Sequence, residues 1–192
     1  SANRDAIGVQ VGAVFIRQVK QFQDVAVAVL QQVASRVIVN LFPGYHGGIC
    51  QQLPEPVRLE GRIPSAVAAD INKGPLDRAR LTAQEYGCTD KMSFRLCDGL
   101  RDVKSYETDV IAIAGMGGET IAEILSAARW VGEKGLPVIL QPMSTQPELR
   151  RWLWQNGFAI QEEKIIKEGD TLYVVIFAKP GEVIPMTTAE EW

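Results

Sequence analysis

Basic charge is not in excess in this sequence: 20 Lys and Arg stand against 23 Asp and Glu, a formal net charge of −3. A chain that gripped nucleic acid mainly through its phosphates would show the opposite balance. Global electrostatics therefore does not advertise a free-standing RNA or DNA binder. Cysteine is scarce as well. Cys50, Cys88 and Cys97 are odd in number, widely spaced and form no Cys-x-x-Cys pair. That argues against a disulfide framework or a zinc knuckle and fits a reducing, cytoplasmic setting. His46 is the only histidine, and without a second imidazole it reads as a loop residue, so no metal site is expected. No apolar run reaches the length of a membrane span, and the first residues lack the basic and apolar regions of a signal peptide. Internal repeats and low-complexity tracts are also missing.

What is present is a chain 46% hydrophobic and 22% charged, the balance of a globular protein able to bury a real core. From residue 62 onward it alternates between strand and helix patterns. Ala66 to Asp70 is a short apolar run ending in an acid, which suits a buried parallel strand. Gly74-Pro75 opens a helix with Leu76, Ala79, Ala83 and Tyr86 on one face and Gly87 as its stop. Lys91 to Cys97 alternates Met92, Phe94 and Leu96 with polar residues, a second strand leading into Asp98-Gly99-Leu100. Thr108 to Ala114 gives the strongest strand signal and ends in Gly115-Met116-Gly117-Gly118. A helix follows with Ile121, Ile124, Leu125 and Ala128 on one face. Leu136 to Gln141 reads as a strand and Thr145 to Asn156 as a short helix, with Thr145 and Glu148 at capping-box spacing and Gly157 after it. Phe158 to Glu163 and Thr171 to Ala178 are two further strands around a turn at 167–170. Strict alternation followed by two successive strands predicts an α/β fold, a mostly parallel sheet closed by an antiparallel C-terminal hairpin.

Residues 1–61 are less regular. Val14 to Val33 is compatible with a helix, Arg36 to Phe42 reads as a strand, and Pro43 to Gly48 forms a glycine-rich turn. The expected organisation is an atypical N-terminal segment over 1–61, a core over 62–180 and a tail over 181–192.

In an open parallel sheet, ligands bind outside the carboxyl ends of the strands. Segments 44–48, 70–72, 98–100 and 115–118 all fall at such ends. Asp70 can accept two hydrogen bonds from vicinal ribose hydroxyls. Asp98 can accept from an adenine amino group, with Leu100 against the ring. Gly115 to Gly118 remove side chains where backbone must approach a ligand closely. Gln141 and Pro142 can offer an amide and a rigid carbonyl to a second substrate. Plain structural explanations compete with each of these. An acid after a strand is about as often a turn or cap residue, and Gly-x-Gly-Gly before a helix also fits tight helix packing. Trp152 lies with Leu149 and Leu153 on an apolar face, while Trp130 and Trp154 are candidates for exposure. Arg150-Arg151 reads as a solvated helix face.

Taken together the segments carry a family likeness. Ala68-Ala69-Asp70-Ile71-Asn72-Lys73-Gly74-Pro75-Leu76, Asp98-Gly99-Leu100, Ile113-Ala114-Gly115-Met116-Gly117-Gly118, Leu140-Gln141-Pro142 and Leu149-Arg150-Arg151-Trp152-Leu153 resemble the bacterial tRNA adenine-N1 methyltransferases that modify the adenine at position 22. The likeness runs from Ser65 to Pro180. It implies a Rossmann-like domain in the cytoplasm, S-adenosylmethionine as cofactor and tRNA as partner. It also implies a cofactor site built from Gly44, His46, Gly47, Asp70, Ile71, Asn72, Asp98, Gly99, Leu100, Gly115 and Gly118. Methyl transfer would occur beside Gly115, Met116, Gly117, Gln141 and Pro142.

The sequence departs from that family in its first turn. The family pattern there is Gly-x-Asp-His-Gly/Ala-Tyr-Leu-Pro, and the counterpart Gly44-Tyr45-His46-Gly47-Gly48 puts Tyr45 where the acid belongs. Weakened cofactor binding is the expected consequence. The family also carries a helical, coiled-coil-like extension that helps hold tRNA, and 181–192 correspond to its beginning. Two alternatives stand beside the leading reading: a relative that binds cofactor without turnover, and a nicotinamide-dependent oxidoreductase. The missing Gly-x-Gly-x-x-G after the first strand counts against the second alternative.

Overall fold

The computed structural model describes residues 36–40, 65–85, 87, 89–168 and 171–183. Seven strands form one sheet: β1 (Arg36–Asn40), β2 (Ser65–Asp70), β3 (Met92–Leu96), β4 (Val110–Gly117), β5 (Val138–Ser144), β6 (Phe158–Glu168) and β7 (Thr171–Pro180). The helices among the described residues are α1 (Lys73–Glu85), α2 (Gly118–Ala127), the short α3 (Trp130–Glu133) and α4 (Gln146–Gln155), with a 3-10 turn at Thr89–Lys91. The spatial order is β3-β2-β1-β4-β5-β7-β6. β1 pairs in parallel with both β2 and β4. The chain thus builds outward from β1 in one direction and then, from β4, in the other. That reversal opens a crevice at the carboxyl ends of β1 and β4.

The apolar runs form strands because both their faces are covered. Ile111, Ile113, Val138 and Leu140 are fully buried and join Ile121, Leu125, Leu149 and Leu153 of α2 and α4 in the main core. The face read from the sequence for α2 is the one that packs, since Ile121, Ile124, Leu125 and Ala128 are all buried. On α1, Leu76, Ala79 and Ala83 are buried against β2 and β3; Tyr86 lies outside the described residues. The expected hairpin is present, with β7 antiparallel to both β5 and β6. Trp152 stacks on Phe158 with ring centroids 5.9 Å apart, and Trp130 is half-buried against the core. Arg150, read as solvated, instead makes a paired bond to Glu163 on β6 at 2.7 and 3.2 Å.

Several elements differ from the sequence reading, among them β6, which runs on to Glu168 rather than ending at Glu163 and takes in the first half of the expected turn at 167–170. Leu96 is exposed rather than alternating inward, at the carboxyl end of β3, which is the edge strand of the sheet among the described residues. β4 does not stop at Ala114 but runs to Gly117, through register shifts between Ala114, Met116 and Gly117. β5 is likewise displaced, covering Val138 to Ser144 with Pro142 inside it. A proline is tolerated there because the pairing with β7 has already ended at Leu140 and the β4 side has slipped, so no regular ladder bond needs its missing N–H. Of the strand expected over 36–42, residues 36–40 are present as β1, whereas 41–42, the helix read at 14–33 and the turn at 43–48 lie outside the described residues. No helix among the described residues is long and apolar enough to cross a membrane.

Leu149 links α4 to this core and is fully buried. Leu149→Ala should cost about 2–5 kcal/mol through lost burial and a residual cavity, read as a lower urea midpoint at an unchanged slope. A loss under about 0.5 kcal/mol would show that α4 is not anchored there.

Candidate active site

Asp70 ends β2 and is fully buried. Its Oδ1 accepts the Asn72 backbone N–H at 2.6 Å, which bends the chain from strand into α1. Its Oδ2 has no hydrogen-bond partner among the described residues. A buried carboxylate oxygen left in this state is costly unless something supplies a donor. Burial pushes the Asp70 carboxyl above the ordinary aspartate value, opposed by its bonds from Asn72 and by the Arg78 charge. Ile71 and Asn72 follow on the exposed rim.

The next loop is tied to the same edge. Cys97 N–H donates to the Asp70 carbonyl at 3.0 Å, extending the β2–β3 pairing by one bond. Gly99 has φ +56, and an added Cβ would press Ile124 of α2 at 3.1 Å. Only glycine meets both demands cheaply. Asp98 is exposed and pairs loosely with Arg101 at 3.4 Å, leaving its carboxylate open to solvent. Leu100 departs from the sequence reading. It is 3% exposed and belongs to the main core, so its side chain is spent on packing rather than offered to a ring.

Across the crevice lies the segment Gly115 to Gly118. Gly115 sits at φ +77, and its N–H donates to Gln141 Oε1 at 3.0 Å. Gln141 is a buried side chain whose amide oxygen serves the chain itself. Its Nε2 faces the Pro142 carbonyl at 3.3 Å and the Met143 sulfur at 3.3 Å. Pro142 is buried within β5, and the Met116 side chain belongs to the core, so Met116 can contribute only backbone to the edge. A Cβ at Gly118 would collide with the Thr145 carbonyl oxygen and meet Leu149 Cβ at 3.0 Å. Helix packing alone therefore explains Gly118. Gly117 is different. It has φ −63 and ψ 148, an ordinary extended conformation, and among the described residues an added Cβ would meet only side-chain hydroxyls, Ser144 Oγ at 3.2 Å and Thr145 Oγ1 at 3.8 Å.

The capping box read at Thr145 and Glu148 does not form. Thr145 has φ +52 and makes no side-chain cap bond. Its Oγ1 instead accepts the Glu119 N–H at the start of α2, at 3.3 Å. The sequence reading missed this conformation, and no signal for it exists, because threonine is a poor left-handed residue. Asp70, Ile71, Asn72, Asp98, Gly99, Gly115 and Gly117 thus reach one sheet edge. Gly44, His46 and Gly47 lie outside the described residues. No group of three or more His, Cys, Asp or Glu among the described residues could hold a metal ion.

A sheet that reverses between β1 and β4, with a buried acid on one lip of the crevice and a glycine segment on the other, defines a Rossmann-like α/β protein. The chain belongs to the methyltransferase domain family, whose pattern matches residues 50–176. It is 36% identical over 132 residues to the tRNA (adenine(22)-N(1))-methyltransferase of Bacillus subtilis, an alignment covering 68% of this chain and 55% of that protein. The chain thus spans little more than half the length of this relative. The crystal structure of the B. subtilis m1A22 tRNA methyltransferase TrmK superposes with a TM-score of 0.70 at 30% identity, covering 88% of this chain and 68% of that one. M. capricolum TrmK in complex with S-adenosyl-homocysteine superposes with a TM-score of 0.67 at 25% identity, covering 82% of this chain and 67% of that one.

The glycines should separate by mutation. Gly118→Ala should destabilise by about 1–3 kcal/mol through overpacking against α4, whereas Gly117→Ala should leave the chemical denaturation midpoint nearly unchanged. Equal losses at both positions would mean that Gly117, too, is a packing residue.

Proposed function

We propose that this chain carries the catalytic domain of an S-adenosylmethionine-dependent methyltransferase acting on N1 of an adenine in tRNA, in the cytoplasm. The observation that carries the proposal is the buried Asp70 carboxylate, with one oxygen unpartnered at the crevice edge, in a chain related to tRNA adenine-N1 methyltransferases. The residues fit the cofactor: an acceptor lacking a donor at the end of β2 suits a vicinal diol, which supplies two. Ile71 and Asn72 form the rim beside it, and Gly99 holds the loop that brings Asp98 within reach of an adenine amino group. Gly44, His46 and Gly47 belong to this site through the family resemblance.

S-Adenosylmethionine, when bound, supplies a methyl group on a sulfonium, an activated leaving arrangement. Adenine N1 is a neutral nucleophile at pH 7, so no side chain has to remove a proton before attack. As the N–C bond forms, the S–C bond breaks and its electron pair stays on sulfur. The chain's task is therefore alignment, which accounts for most of what such a site can contribute. Gly117 gives the acceptor ring close approach to backbone, flanked by Gly115 and by the Gln141–Pro142 stretch of β5. The target base has to leave its stack to reach this edge.

The direct test is incubation with S-adenosylmethionine and a tRNA bearing adenine at position 22, followed by nucleoside mass spectrometry. 1-Methyladenosine at that position is expected. Cofactor binding without transfer, or preferential binding of NAD, would overturn the proposal.

Asp70 makes a second, pH-dependent prediction. Because its folded pKa is raised, the free fold loses stability as pH rises from the ordinary carboxylate value through the raised one. Hydroxyl donors favour the ionised carboxylate, so ligand binding works in the opposite sense. Affinity for S-adenosylhomocysteine should fall as pH drops through that same window. Asp70→Asn should weaken binding roughly 10-fold or more, the cost of a charged acceptor, and remove most of the pH dependence. Calorimetric titration across the acidic range checks both, and an Asn variant with the wild-type pH profile would exclude Asp70 from the site.

A further inference from the structure

Two side chains of one short segment hold both ends of another. Gln141 Oε1 accepts the Gly115 N–H at 3.0 Å, and Thr145 Oγ1 accepts the Glu119 N–H at 3.3 Å. Both bonds join residues 26 apart, so the step from 141 to 145 is matched against the step from 115 to 119. Between the two fixed points lie Met116, whose side chain is buried in the core, and Gly118, pressed against the Thr145 carbonyl. Gly117 alone is met by no backbone and no core side chain among the described residues, only by the hydroxyls of Ser144 and Thr145, 3.2 and 3.8 Å from where a Cβ would stand.

Both holding residues are costly choices. Gln141 places an amide in a strand otherwise made of Val138, Ile139 and Leu140 at this depth, where a buried polar group is tolerated only when bonded. Thr145 is the one non-glycine residue at positive φ among those described, a conformation that penalises a β-branched side chain. Strain of this kind persists where surrounding contacts over-determine it and collects at functional sites. A regular β4–β5 ladder would need neither residue.

We propose that Gln141 and Thr145 are positioning residues, a two-point clamp that fixes the Gly117 backbone as the surface on which the methyl-accepting ring lies. The inference rests on the methyl-transfer reading above. In it neither side chain touches the acceptor; both act through Gly115 and Glu119. Loosening the clamp lets the ring wander from the line of attack while the Asp70 side of the site still holds the cofactor.

The test uses the full chain labelled with 15N-glycine, in the variants Gln141→Met, Gln141→Glu and Thr145→Gly. Gln141→Met keeps the volume but removes the acceptor, so the Gly115 amide should exchange with solvent at least about 10-fold faster than in wild type. Turnover of tRNA at saturating cofactor should fall on the order of 10- to 100-fold, the expected result of a small misalignment. S-Adenosylhomocysteine affinity should fall much less than kcat. Gln141→Glu retains an acceptor oxygen and should restore Gly115 protection and part of the turnover. Thr145→Gly relieves the left-handed strain while losing the hydroxyl bond, so its melting temperature should stay near wild type although kcat drops. Unchanged Gly115 exchange in Gln141→Met, or equal losses of kcat and cofactor affinity, would overturn the clamp. Wild-type turnover that persists unaltered in Gln141→Met overturns the clamp alone. A wild-type chain that methylates nothing overturns the methyl-transfer reading along with it.

Discussion

A parallel ladder buried on both faces must satisfy every backbone N–H from within the protein, and in this molecule the β4–β5 ladder slips before either strand ends. The slip at Ala114 and Met116 turns Gly115 to a left-handed φ and takes its N–H out of regular pairing. Gln141 supplies the lost acceptor from the neighbouring strand. Much of the crevice lip follows from that substitution of side chain for ladder. β4 can run on to Gly117, β5 can tolerate Pro142, and α2 starts close to the β5–α4 junction. A straight ladder would carry the strands past this point with no opening between them.

The four glycines at the site show why a glycine-rich signature is weak evidence when read as a unit. Gly99 and Gly115 answer to positive φ, and Gly118 answers to the closeness of Thr145 and Leu149. Gly117 has neither reason, since its φ is ordinary and an added Cβ would meet only the hydroxyls of Ser144 and Thr145 among the described residues; the proposed acceptor contact is assigned to it on that ground. Asp70 is a parallel case. Its burial is unfavourable for the charged form, and one of its oxygens is unpartnered among the described residues. Native interiors rarely leave such a group without a partner of some kind, and the proposed cofactor diol would supply one.

Charge and site give separate information about the proposed substrate. A net charge of −3 supplies no general attraction for phosphates. The adenine specificity proposed for this chain therefore rests on the crevice and the family likeness, not on electrostatic capture. Among the described residues the ion pairs lie at or near the surface, as with Arg150–Glu163, which ties α4 to β6. They contribute modestly beside the burial of Ile111, Ile113, Leu140 and Leu149.

By itself the sequence determined the alternation of elements, because runs such as Val110 to Ala114 and faces such as Ile121, Ile124 and Leu125 carry their periodicity openly. It also marked the strand-end segments at 70–72, 98–100 and 115–118, where polar and glycine residues interrupt apolar runs. The function of each residue within those segments was less legible. Leu100 and Met116 look like ligand-facing residues in one dimension and are core residues in three. Gln141 looks like a substrate contact and is a backbone acceptor, while Thr145 looks like a helix cap and is a left-handed latch. Those assignments depend on which strand lies beside which and on where the ladder slips. Both are properties of contacts 26 residues apart, and local pattern contains no term for them.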